Sequence, residues 1–212
     1  MVVKRHENNI QSSIKDCIPI GSTNDSNIVS TSVQHAQITV DNSFAINQGE
    51  VGITNGNSTK HILGTFGAGP CVIVTFYNPD TSEAALTHID ALTNVPQTIS
   101  MIDYHLTKNV DEANFIINLS TGWLDNNSTL ELIRDVLSSR ENMEISKILE
   151  SSSLAIDAKT GEIIQGITHH VLDLNGDYRK RMETRETIAM FTFGKVISSR
   201  ISFDGRNESL TF

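Results

Sequence analysis

Cysteine, histidine and a hydroxyl residue can together break an amide bond, and one stretch of this 212-residue chain holds all three. It runs from His61 to Asp90, HILGTFGAGPCVIVTFYNPDTSEAALTHID. A thiol attacks as its thiolate, and an ordinary cysteine is mostly protonated at neutral pH. Cys71 therefore needs a base, and His88 is the candidate: an imidazole can take the thiol proton and return it to a departing amine. Thr65 carries a hydroxyl that could orient the imidazole, the third role in triad logic. The segment Gly64-Thr65-Phe66-Gly67-Ala68-Gly69-Pro70 lies before the cysteine. Its glycines let the backbone turn sharply, so that N–H groups can converge on an oxyanion. Pro70 has no N–H. The donors expected from the sequence are therefore the Cys71 amide and one amide from residues 66–69, with Gly67, Ala68 and Gly69 as candidates. Each feature also has a plainer reading: a small buried hydrophobe for Cys71, a hydrogen-bonded structural histidine for His88, and a loop for the glycines.

The elements that must position these residues can be read from periodicity. Ile38, Val40, Phe44 and Ile46 sit at even spacing, which predicts a strand or a hairpin turning at Asp41-Asn42-Ser43. Residues 50–54 read as a short strand and Asn55-Gly56-Asn57 as a turn. Cys71–Tyr77 is continuously apolar or β-branched, as expected of a strand covered on both faces. With Ala84–Ile89 it forms a predicted hairpin, which would bring Cys71 and His88 within reach of each other.

Pro96 suits the first turn of a helix, and Ile99, Ile102 and Leu106 give that helix one apolar stripe. Asn114–Leu119 reads as a strand, followed by a turn at Ser120-Thr121-Gly122. Ser128 is placed to cap a second helix with Leu130, Ile133 and Leu137 buried. Ile145–Leu149 is a further strand. Residues 154–157 and 162–164 flank a glycine-containing turn and predict a hairpin. Residues 188–199 and 200–203 are strand-like. The order implies a mixed-sheet α/β or α+β layered domain, without the regular alternation of a dinucleotide-binding fold. Residues 1–36 read as a partly ordered arm and 37–212 as one domain.

Composition narrows the functional classes. With 16 Lys+Arg against 25 Asp+Glu, the formal net charge is −9, which disfavours nucleic acid and anionic membranes as partners. An acidic protein suits a cationic partner such as a peptide with a free amino terminus. Two cysteines, Cys17 and Cys71, are few for a secreted disulfide framework. The N-terminus lacks the apolar core of a signal peptide. These features together predict a cytoplasmic protein with reduced thiols, or one exported without a cleaved signal. Adjacent His169 and His170 would point to opposite faces of a strand, which argues against a shared metal. Trp123 reads as a core or pocket residue, with the core favoured, and Tyr178-Arg179-Lys180-Arg181 as a basic patch that is solvated or contacts a protein.

Ile62-Leu63-Gly64-Thr65, Cys71-Val72-Ile73-Val74 and Leu86-Thr87-His88-Ile89-Asp90 together resemble the core of the protein N-terminal asparagine amidohydrolase family. Its pattern has a cysteine six residues after a hydroxyl, and a histidine seventeen residues past that cysteine in a Leu-Thr-His-x-Asp segment. The Thr–Cys–His spacing is also similar to that of chemoreceptor glutamine deamidases, whose fold resembles the catalytic domain of cytotoxic necrotizing factor toxins. The resemblance continues more weakly through Asn114–Arg140 and Ala155–Ile163.

That resemblance implies a layered sandwich of mixed, largely antiparallel sheets with flanking helices. It also implies hydrolysis of a side-chain carboxamide through a cysteine thioester, with no metal or organic cofactor. The substrate implied is a protein or peptide with N-terminal asparagine, with Asp90 as acceptor for its ammonium and Phe66 as a second contact. Longer family members extend beyond the end of this sequence, and Thr65 stands where they have serine. Two other readings compete: deamidation of an internal glutamine or asparagine in a partner protein, and a binding module that keeps the fold without catalysis. The sequence leaves the oligomeric state open.

Overall fold

The computed structural model describes residues 37–107 and 113–174, and the backbone of three later strands at 187–192, 198–202 and 207–210. The strands in chain order are β1 (Ser43–Ala45), β2 (Val51–Asn55), β3 (Ile62–Thr65), β4 (Val72–Asn78) and β5 (Glu83–Ile89), followed by β6 (Phe115–Thr121), β7 (Met143–Glu150), β8 (Leu154–Asp157) and β9 (Ile163–Gln165). β10 (Thr187–Thr192), β11 (Ser198–Ser202) and β12 (Asn207–Leu210) complete them. Helix α1 (Val95–Thr107) lies between β5 and β6, and α2 (Ser128–Ser138) between β6 and β7.

Two sheets result. The larger has the order β12-β11-β10-β2-β5-β4-β6-β7, and the smaller β1-β3-β8-β9. Most neighbours are antiparallel; β1/β3, β10/β2 and β6/β7 are parallel. The expected mixed, largely antiparallel layered fold is the one observed.

Alternation along the central strands decides which layer each side chain joins. Val72, Val74 and Phe76 of β4 and Ile89 of β5 face α1 and α2, where Ile99, Ile102, Leu106, Leu130, Ile133 and Leu137 meet them in one apolar cluster. Their immediate neighbours Cys71, Ile73 and Tyr77, with Ala84 and Leu86 of β5, face the other way. They pack against Leu63 of β3 and Leu154 and Ile156 of β8, closing a second apolar layer between the sheets. The outer face of the small sheet (Ala45, Ile62, Ala155) is covered by Ile167, Leu172 and neighbouring apolar residues. β4 is buried along its whole length, as its unbroken apolar run predicts.

Several local expectations are corrected. Residues 41–43 do not turn a hairpin. The turn lies at 39–42, where Asn42 Oδ1 accepts from the Thr39 N–H at 2.8 Å, and β1 then pairs in parallel with β3. The cap of α2 is Asn127 rather than Ser128: its Oδ1 accepts from the Leu130 N–H at 3.0 Å. Ser120 and Thr121 belong to β6, because pairing with β7 continues to Thr121↔Glu150. The β8–β9 hairpin forms as expected, with Gly161 at φ +73° in its turn. Residues 188–199 do not form one strand: β10 ends at Thr192 and β11 begins at Ser198. The arm 1–36, Cys17 and the basic patch 178–181 lie outside the described residues.

Candidate active site

The three residues singled out for chemistry lie at one end of the layer between the sheets. Thr65 is the last residue of β3, and its side chain joins the inter-sheet face as Leu63 does two residues earlier. His88 lies near the end of β5, directly opposite Ile73 of β4. Cys71 precedes β4 and lies two residues from Ile73, so it shares that face and stands diagonal to His88, a separation of roughly 7 Å that side chains can bridge. The Thr65 hydroxyl and His88 Nδ1 are 2.9 Å apart, a contact that joins the small sheet to the large one. Thr65, Cys71 and His88 are all buried, and the thiol-bearing residue is 8% exposed.

The turn before Cys71 is held by its own backbone. The Ala68 N–H donates to Ser152 O at 2.9 Å, and the Gly69 N–H to Gly67 O at 3.0 Å. The carbonyls of Ala68, Gly69 and Pro70 accept from the Gly122 N–H, the Thr121 hydroxyl and the Asn127 side chain. Gly67 sits at φ +80°, a conformation that favours glycine. Of the amides named from the sequence as oxyanion donors, those of Ala68 and Gly69 are thus engaged with carbonyls.

Asp90 follows β5 and is 8% exposed. Its Oδ1 accepts from the Leu92 N–H at 3.0 Å and from the Thr93 hydroxyl at 2.8 Å. Its Oδ2 accepts from Gln48 Nε2 at 3.1 Å. Phe66 lies elsewhere: it packs on the outer face of the small sheet, with its ring 5.9 Å from that of His169. His169 and His170 are in a turn rather than a strand, with ring centroids 3.8 Å apart, so the strand-based argument about them does not hold. Trp123 is 63% exposed, not part of the core. Its N–H bonds to the Thr121 hydroxyl and its carbonyl accepts from Asn127, which fixes the loop while the indole points out.

Sequence reasoning missed Gln48. Its side-chain Nε2 lies 3.3 Å from Cys71 Sγ as well as 3.1 Å from Asp90. The backbone explains why it points there. The Glu50 N–H closes a turn onto Asn47 O at 3.0 Å, with Gly49 at φ +77°, the position at which a type II turn wants glycine. The Gly49 N–H then donates to His88 O at 2.7 Å, while the His88 N–H donates to Glu50 O at 3.3 Å. Two residues thus face one, which is a β-bulge with glycine in the left-handed conformation. The bulge aims Gln48 at the cysteine. The sequence signal was the Asn47-Gln48-Gly49-Glu50 turn pattern.

Among the described residues no helix is long and apolar enough to cross a membrane. Comparison with curated proteins finds no match. The family model for protein N-terminal asparagine amidohydrolase matches residues 33–190, a span that takes in Gln48, Thr65, Cys71, His88 and Asp90, and the chain belongs to that family.

Proposed function

We propose that the chain deamidates the side chain of an N-terminal asparagine in a protein or peptide, giving aspartate and ammonia through a thioester on Cys71. The observation that carries this reading is the 2.9 Å contact between Thr65 and His88 Nδ1 on the strand face that Cys71 shares. With Nδ1 turned to Thr65, proton handling falls to Nε2. For Nε2 to act as base, Nδ1–H must donate to the Thr65 hydroxyl, the orienting role that a carboxylate plays in other triads.

His88 takes the thiol proton, and Sγ adds to the carboxamide carbon as the C=O π pair moves onto oxygen. The oxyanion collapses, the C–N bond breaks, and ammonia leaves with the proton from His88. Water then adds to the thioester as His88 takes its proton. The tetrahedral intermediate collapses, the S–C bond breaks, and His88 returns the proton to the leaving sulfur, restoring the Cys71 thiol with an aspartate product. These steps call on no group beyond the side chains, backbone amides and water.

The substrate's ammonium lies only a few bonds from the attacked carbon. Asp90 is the carboxylate at the matching place, because one Gln48 nitrogen touches both Cys71 and Asp90. Asp90 is held by Leu92, Thr93 and Gln48, and a carboxylate is an acceptor, as the binding of an ammonium requires.

Ammonia release from peptides that begin with asparagine, compared with N-acetylated asparagine peptides and internal glutamine substrates, is the test. Release confined to the free N-terminal asparagine supports the proposal. Equal release from internal glutamine would transfer it to a deamidase of partner proteins. No release from any of them would favour the binding module.

A further inference from the structure

We propose that Gln48 is a catalytic residue whose side-chain amide holds the Cys71 thiolate before attack and the carboxamide-derived oxyanion after it, with Asp90 as its positioning residue. This rests on the cysteine mechanism above.

The two contacts of Nε2, 3.3 Å to Cys71 Sγ and 3.1 Å to Asp90 Oδ2, account for the two hydrogens of a primary amide. Asp90 also settles which end of the amide faces the sulfur. Its carboxylate can only accept, so it selects the NH₂ end and repels the carbonyl. The carboxylate is itself held by Leu92 and Thr93. The amide is therefore anchored on one hydrogen and presents the other to the reacting sulfur.

The backbone gives the same arrangement a second anchor. The bulge that carries Gln48 is hydrogen-bonded through Gly49 and Glu50 to His88. The donor and the base are thus fixed to each other at adjacent positions of one sheet. The turn before Cys71, by contrast, has the Ala68 and Gly69 amides engaged with carbonyls. A side-chain donor supplies what those two amides do not.

The chemistry rewards this placement. As the S–C bond forms, the sulfur stops being a thiolate and becomes a poor acceptor, while negative charge appears on the oxygen one carbon away. The same N–H then has a better partner, a gain realised on the way to the transition state. Removal of one oxyanion donor typically costs about 10²- to 10³-fold in kcat.

The test uses the full chain with Cys17→Ser, so that Cys71 is its sole thiol. Ammonia release from an asparagine-starting peptide and the pH dependence of Cys71 alkylation by iodoacetamide are measured for the parent, Gln48→Ala, Gln48→Glu and Asp90→Asn. Gln48→Ala is expected to lower kcat about 10²- to 10³-fold with KM changed only a few-fold, and to move the alkylation midpoint to higher pH. Gln48→Glu keeps the side chain's size and guards against misfolding; it is expected to lose at least as much kcat and to move the midpoint further. Asp90→Asn is expected to shift both readouts in the same direction by less.

Wild-type kcat and an unmoved alkylation profile in Gln48→Ala would overturn the proposal. So would faster turnover in that variant, which would make Gln48 a plug rather than a donor. Wild-type ammonia release by Cys71→Ala would remove the nucleophile, and the Gln48 role with it. An inactive Cys71→Ala beside a fully active Gln48→Ala would remove the Gln48 role alone.

Discussion

Strand β3 has a histidine contact at each end, and the two are unlike. At its start, His61 Nδ1 lies 2.8 Å from Asp157 Oδ1 in a buried pair. At its end, Thr65 meets His88 Nδ1 at 2.9 Å. By a list of catalytic parts the first pair is the better one, since a carboxylate stabilises an imidazolium more than a hydroxyl does. Yet Asp157 Oδ1 also accepts the Lys159 N–H at the β8–β9 turn, and the His61 carbonyl accepts the Ala158 N–H. That pair ties a hairpin to a strand. The Thr65–His88 pair has the thiol on its face and the Gln48 bulge on its backbone. What separates a candidate site from a structural contact here is the nucleophile and its surroundings. The strength of the His partner does not.

The two histidine pairs should respond to mutation in opposite ways. Cys71→Ala is expected to cut ammonia release by about 10⁴-fold or more, with circular dichroism unchanged. His88→Ala should cost about 10²- to 10⁴-fold in kcat, the range for a lost general acid–base. His61→Ala should leave kcat within a few-fold and instead lower stability by about 1–3 kcal/mol, the cost of orphaning a buried partner, read as a fall in the denaturant midpoint. A dead His61→Ala with unchanged stability would reverse the two assignments. Thr65→Val removes one neutral hydrogen bond worth about 1 kcal/mol, so roughly a fivefold loss in kcat is expected, with Thr65→Ser close to the parent. Trp123→Ala should change stability by no more than about 0.5 kcal/mol, because the side chain is largely in water.

Local pattern carried much of this structure. The run from Cys71 to Tyr77 has the apolar and β-branched content expected of a strand buried on both faces, and the stripe Ile99, Ile102, Leu106 has the spacing of one side of a helix. The pairing of β4 with β5 followed from two runs joined by Asn78-Pro79-Asp80. What failed had a physical cause. Ile38, Val40, Phe44 and Ile46 keep even spacing across Asn42, but Val40 is 52% exposed, and the alternation there does not mark a paired strand. An apolar ring favours the core for Trp123, but a loop held by Thr121 and Asn127 leaves its indole in water. The turn pattern at Asn47–Glu50 gives no direction for the Gln48 side chain, for another reason. Its direction depends on a bulge that exists only because His88 pairs opposite it, and that partner lies forty residues away. Thr65, Cys71 and His88 were found through their spacing, whereas the contact between Thr65 and His88 depends on two sheets that no spacing describes.

The strand that bears Thr65 also sets a schedule for the protein's synthesis. β3 lies between β1, which emerges shortly before it, and β8, which emerges some ninety residues later. The Ala68 N–H waits for the carbonyl of Ser152 in the same way. A ribosome that has made Thr65, Cys71 and His88 has therefore made every catalytic candidate but not the strand and carbonyl that brace them. Closing such distant pairs is slow, so the nascent thiol spends that interval without the contacts that brace the finished site. The contacts of β3 with β8 and of Ala68 with Ser152 can form only after residues 152–157 have left the exit tunnel.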